Sequence, residues 1–222
     1  MKKVLLIASL LFIGVNGVKA QGFVTDINGK PVLTKNYSEV QGDPNLYKDW
    51  VNGLVKFNEG KPYRYDKLNY DQLNDNLLFL SKTGEPFNFI DPVSEFTLSS
   101  GMMENQTFRN NYPAAKNTTE KSFFQVLADG KVQFLKRSIK SIIETKEYNS
   151  TAVKTFVPVI SYYIFKSGQM IPVKKDKKII LAVLSDKAAA LEKYIDSEKI
   201  SFKDDSDISK LIGYYNTINQ RT

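Results

Sequence analysis

The chain contains neither cysteine nor histidine. Without them there is no thiol redox chemistry, no disulfide, no Cys–His or Ser–His–Asp nucleophile and no His-ligated zinc. Carboxylate chemistry, Ser–Lys pairs, tyrosine and oxygen-ligand metals remain open. Ser–Lys catalysis on a helix needs Lys three residues after Ser, and no Ser here has one. Lys82-Thr83-Gly84 matches a motif of that enzyme class by letters, but between two apolar runs it reads as a hairpin turn. Long apolar runs are also scarce. Beyond residue 20 the longest is Ile179 to Leu184, far short of the roughly 20 residues of a spanning helix.

A longer run opens the chain. Lys2 and Lys3 precede an apolar stretch from Val4 to Val15, followed by Val18 and Ala20 at the small-residue positions of a cleavage site, which reads as a secretory signal peptide. The mature chain is expected to begin near Gln21, with no Cys there for lipid attachment, so a secreted protein, free in the periplasm or released, is expected. Of 31 basic residues, Lys2, Lys3 and Lys19 leave with the signal, so 28 basic face 24 acidic residues, net +4. That balance is interspersed rather than concentrated on one element, so no nucleic-acid partner is expected. The seventeen Asn and twelve Tyr would suit a sugar-binding surface, but an AT-rich genome produces the same bias, and it is read as background.

Four segments follow: a signal peptide (1–20), a polar lead-in (21–50), an antiparallel β domain (51–175) holding an irregular loop (99–121), and a helical segment of the same domain (176–222). In the lead-in, Asn28-Gly29-Lys30-Pro31 reads as a turn, Val32 to Leu33 as a short strand, and Trp50 as an anchor against the core. From Gly53 to Leu98, short alternations broken by turn residues describe a meander. Asn76 to Leu80 is apolar on both faces and reads as a central strand. Tyr63 to Tyr70 has no clean apolar face, which predicts an edge or a wet side. Asp129-Gly130 predicts a type I′ hairpin between Phe123–Ala128 and Val132–Leu135. Arg137 to Lys146 is open between helix and strand. Thr155 to Lys166 is a strand whose Pro158 belongs at a start, bulge or edge. Apolar stripes at Ile179–Leu184, Ala188–Ile195 and Ile208–Tyr215 have helical spacing. The expected fold is α+β: an antiparallel meander or sandwich-like sheet with two or three C-terminal α-helices packed on it.

Asn45-Leu46-Tyr47-Lys48-Asp49-Trp50, the Phe123–Leu135 hairpin, Tyr162-Tyr163-Ile164 and the ending from Leu191-Glu192-Lys193-Tyr194-Ile195 to Leu211-Ile212-Gly213-Tyr214-Tyr215-Asn216 resemble a group of uncharacterised exported proteins of Bacteroidetes-type bacteria. The likeness covers most of the mature chain. It implies export and a one-piece architecture, and no activity.

Tyr63, Arg64, Tyr65 and Tyr70 form the candidate binding face, since aromatic rings give contact area at low entropy cost and Arg supplies paired donors. Asp66, Asp91, Glu95 and Asp129 lie on or beside strands and are the candidates for a glycosidase pair. Asp204, Asp205 and Asp207 fail the calcium-loop pattern, because Lys210 and Asn216 stand where Gly and Glu are required. They read as helix caps. The Lys174–Lys178 cluster reads as a solvated turn into a helix, and the sequons at Asn36, Asn105, Asn117 and Asn149 mark surface loops at most. No cofactor or metal is expected. The expected function is a non-enzymatic envelope protein that binds an envelope protein or glycan through the tyrosine face or the loop 99–121. A carboxylate-dependent glycan hydrolase is the alternative. A third reading has the helical tail docking on a partner.

Overall fold

The structure, a computed structural model, describes residues 29–31, 37–58, 60–101 and 104–218. The signal-peptide reading, Val32–Leu33, the Asn36 sequon and Met102–Met103 lie outside them. The strands are β1 (Gly29–Pro31), β2 (Val40–Gln41), β3 (Val51–Phe57), β4 (Pro62–Asp71), β5 (Asn76–Leu80), β6 (Pro86–Phe89), β7 (Val93–Ser99), β8 (Gln106–Arg109), β9 (Phe124–Ala128), β10 (Val132–Thr145), β11 (Val153–Lys166) and β12 (Gln169–Val173). Helices α1 (Lys177–Val183), α2 (Ala188–Glu198) and α3 (Asp205–Ile218) follow.

The fold is α+β, with the three helices packed on one large sheet in the order β1-β6-β5-β4-β3-β7-β8-β9-β10-β11-β12. The sheet is mixed rather than antiparallel throughout, because β2 runs parallel to β11, with Val40 opposite Lys154 and Gln41 opposite Thr155. Pro158 falls between the β2 and β12 pairings of β11, where that edge is open and a missing N–H costs nothing.

The Tyr63–Tyr70 strand is not an edge, since β4 lies between β3 and β5, but it does have a wet side, with Arg64, Asp66 and Lys67 exposed. Its mixed pattern comes from a β-bulge. Val51 pairs with Leu68 and Gly53 with Tyr65, so Asp66 and Lys67 together oppose Asn52. The extra residue reverses the alternation, and Tyr63, Tyr65, Leu68 and Tyr70 share one face. A Cβ at Gly53, beside the bulge, would collide with the Thr97 carbonyl, which is why the smallest residue stands there.

That face carries the first core: Val55, Leu68, Tyr70, Leu77, Phe79, Phe96, Leu98, Phe108 and Phe123, all buried. The sheet curls tightly over it. Two strands separate β4 from β8, which would put them about 14 Å apart in a flat sheet, yet the rings of Tyr70 and Phe108 are centred 5.2 Å apart. Leu46 and Tyr47 of the lead-in pack against this core, and Trp50 is half-buried.

The same face continues through Gln125, Lys136 and Tyr162 to a second core, where Phe134, Ile164 and Val173 meet Ile180, Leu184, Leu191, Ile195, Ile208, Leu211, Ile212 and Tyr215. The tail's apolar stripes are thus consumed by the sheet, against the reading in which they dock on a partner. On the opposite face Tyr112 covers Phe124, Leu135 and Tyr163.

Two polar links tie the tail down. Asn216 accepts from Val132 N (3.0 Å) and donates to Val132 O (2.8 Å), imitating a strand partner under the β9–β10 turn. That turn has three residues, Asp129 to Lys131, with Gly130 at φ 145°, so it is not the expected type I′. Asp205 at the start of α3 accepts from Lys136 and Lys175, both at 2.9 Å. Burial opposes its ionisation, but these bonds and one from Tyr162 prevail and hold its pKa below the usual range. Lys175 is therefore a structural residue of the basic cluster.

Arg137 to Thr145 is strand, the second half of β10. The loop expected over 99–121 contains β8, paired with both β7 and β9. Asn28-Gly29-Lys30-Pro31, expected as a turn, supplies β1 from Gly29 to Pro31.

Candidate functional site

At one end of the curled sheet, the β4–β5 turn, the β6–β7 turn and the segments 110–111 and 119–123 enclose a cleft of about 740 Å³. Asparagine dominates its lining: Asn58 after β3, Asn74 and Asn76 around the β4–β5 turn, Asn88 in β6, and Asn110 and Asn111 after β8. Leu77, Phe89 and Phe123 provide apolar surface, and Asp75, Asp91, Glu120 and Lys121 provide charge.

Local chemistry accounts for these positions. Asp75 and Asn111 adopt left-handed backbone (φ 57° and 64°), which short polar side chains tolerate best after glycine. Asn111 N donates to Glu120 O at 2.7 Å, and Thr119 N to Ser122 Oγ at 3.1 Å, so both ends of the covering loop are pinned. Asn110 Nδ2 donates to Val93 O at 2.8 Å. The side-chain oxygens of Asn88 and Asn110 are buried and have no protein donor.

Asp75 fastens the cleft to the rest of the molecule. It accepts from Tyr70 Oη (2.5 Å), Arg137 Nη2 (2.7 Å) and Phe123 N (3.3 Å), joining β4, β10 and the covering loop. Burial, then the charge and hydrogen bond of Asp75, raise the Tyr70 pKa well above its ordinary value, so the phenol remains a donor.

The four residues of the expected binding face part company. Tyr70 is 1% exposed and belongs to the core, because the bulge turns it inward. Arg64 is exposed but opposite Leu54, on the other side of the sheet. Tyr63 and Tyr65 stay together, half-buried, in a group of rings: Tyr63–Phe57 at 5.7 Å, Phe57–Phe89 at 5.6 Å and Tyr65–Phe89 at 5.1 Å. Phe89 also lines the cleft, so this aromatic shelf adjoins it. Burial, then the charge of Asp91, then Tyr63, push the Tyr65 hydroxyl far up, which sets Asp91 beside the shelf.

Of the four candidate carboxylates, only Asp91 lines this cleft. Asp66 is exposed in the bulge. Glu95 and Asp129 converge on one guanidinium: Arg109 Nε donates to Glu95 at 2.6 Å, and Nη2 and Nη1 to Asp129 at 3.1 and 3.3 Å. Glu95 and Arg109, with Tyr112 and Gln133, line a smaller hollow of about 360 Å³. Burial raises the Asp129 pKa, but the bonds from Arg109, Gly130 N and Gln133 outweigh it, and its pKa stays below the usual range.

By count alone the asparagines read as compositional background. Their signal was positional: Asn74-Asp75-Asn76 and Asn110-Asn111 are doublets at chain reversals, where turns converge on one end of a sheet. No protein-family model, curated protein or solved structure matches the chain.

Proposed function

We propose that this chain is an exported, non-enzymatic binding protein of the cell envelope, of the kind its resemblance to exported Bacteroidetes-type proteins implies, and that it holds its ligand in the asparagine-lined cleft. The observation that carries this reading is the cleft itself, where turns and loops from separate parts of the chain bring six amides around apolar surface. A concave site with convergent polar groups on a rigid scaffold is the usual form of a ligand site. The hydrogen bonds that tie Glu95 and Asp129 to Arg109 support a structural role for that converging pair over a catalytic one.

The test is retention of the mature chain on isolated envelope material. Wild type is expected to be retained, as is a Glu192→Ala control on the exposed side of α2. The triple variant Asn58→Ala, Asn76→Ala, Asn111→Gly, in which glycine preserves the left-handed backbone, is expected to lose at least about nine-tenths of that retention, a change of roughly 1.4 kcal/mol. Equal retention of the triple variant would overturn the proposal. Glycan hydrolysis is the second reading, favoured by the presence of Asp91 and Glu120 in the same cleft. It would displace binding if wild type released reducing ends from envelope glycan and Asp91→Asn did not.

A further inference from the structure

We infer that the cleft and the adjoining shelf of Phe57, Tyr63, Tyr65 and Phe89 form one extended site for a neutral oligosaccharide. The inference rests on the cleft being the recognition site. A sugar ring has an edge of hydroxyls, each both donor and acceptor, and a face of apolar C–H groups. A carboxamide is the side chain that offers an acceptor and two donors within one plane, so it can serve neighbouring hydroxyls in either direction. Asn88 Oδ1 and Asn110 Oδ1, in two residues that line the cleft, lack any protein donor. Beside them, half-buried aromatic rings offer the flat, electron-rich surface on which C–H faces pack.

Charge and topology narrow the ligand class. Asp75 is neutralised by Arg137, leaving Asp91 and Glu120 against Lys121 in the lining. A phosphate, nucleic acid or uronate would meet two carboxylates and a lone lysine, where anion sites use arginine clusters or helix ends. A peptide added as a strand needs an open sheet edge. The strands around the cleft, β5, β6, β7 and β8, are each paired on both sides. The shelf extends the site past the cleft, so affinity should grow with chain length.

Titration of the mature chain with neutral glucan, mannan and xylan oligomers of two to six rings, beside a uronate oligomer and an extended neutral peptide, tests this. One neutral series is expected to bind, tightening at least about tenfold from two rings to four. Tyr63→Ala should weaken four-ring binding more than two-ring binding and so remove that gain with length, and Tyr63→Phe should restore it. Asn76→Ala with Asn111→Gly should weaken the two-ring ligand itself. Binding of no neutral series, or tighter binding of the uronate or peptide, would overturn the inference. If envelope retention still depended on the cleft, only the ligand class would be wrong; if it did not, the cleft reading would fail with it.

Discussion

A chain ending at Lys199 is expected to lose cooperative folding altogether, rather than to leave a folded β domain behind. The removed segment carries Ile200, Ile208, Leu211, Ile212 and Tyr215, four of them at 0% exposure. Each such side chain contributes about 1.5–3 kcal/mol by burial, and five together match the roughly 5–15 kcal/mol by which a typical domain is stable. Truncation would also bare Val132, Phe134 and Ile164 on the sheet and remove Asn216 from the β9–β10 turn. Thermal unfolding followed by near-ultraviolet circular dichroism should show no sigmoidal transition. A truncated chain that melts cooperatively would show the tail to be an appendage and would restore the reading in which it docks on a partner.

The second large effect is expected at Asp75. Glycine is the informative replacement, because it keeps the left-handed backbone without strain and removes only the carboxylate. Arg137, whose side chain is 11% exposed, would lose its partner. Its Nε already lacks an acceptor, and Tyr70 Oη would lose its own. Breaking a largely buried pair from one side costs about 3–5 kcal/mol. Chemical denaturation should therefore show Asp75→Gly destabilised by at least about 3 kcal/mol with the denaturant slope unchanged. Asp75→Asn, which still accepts from Tyr70 but leaves the arginine uncompensated, should fall between. A loss under about 0.5 kcal/mol for Asp75→Gly would mean that the node does not hold the cleft to β10.

These predictions rest on different amounts of sequence information. The helical tail was legible because Ile208, Leu211, Ile212 and Tyr215 repeat at one face's spacing, and a helix reports its buried side within its own residues. Asn76–Leu80 was legible as a buried strand for the same local reason. The tyrosine strand was misread because a bulge is set by the partner strand: nothing in Tyr63–Tyr70 alone reveals that Asp66 and Lys67 share one position opposite Asn52. Strand β8 was missed because four residues with one buried side chain, Phe108, make no pattern without β7 and β9 beside them. The parallel contact of β2 and the convergence of Glu95 and Asp129 on Arg109 are likewise products of distant pairing. The cleft is the extreme case. Each asparagine is an ordinary turn or strand residue in sequence, and only the curl of the sheet assembles them.

Amide hydrogen exchange of residues 21–222 with and without the neutral oligosaccharide proposed as ligand tests the assembly of the cleft most directly. The expected result is new protection at Ile90–Val93, Asn110–Asn111 and Thr119–Phe123, with α1 to α3 unchanged. Protection confined to the far half of the β10–β11 hairpin, where Ile142, Ile143, Val159 and Ile160 are exposed, with those cleft segments exchanging as before, would contradict it.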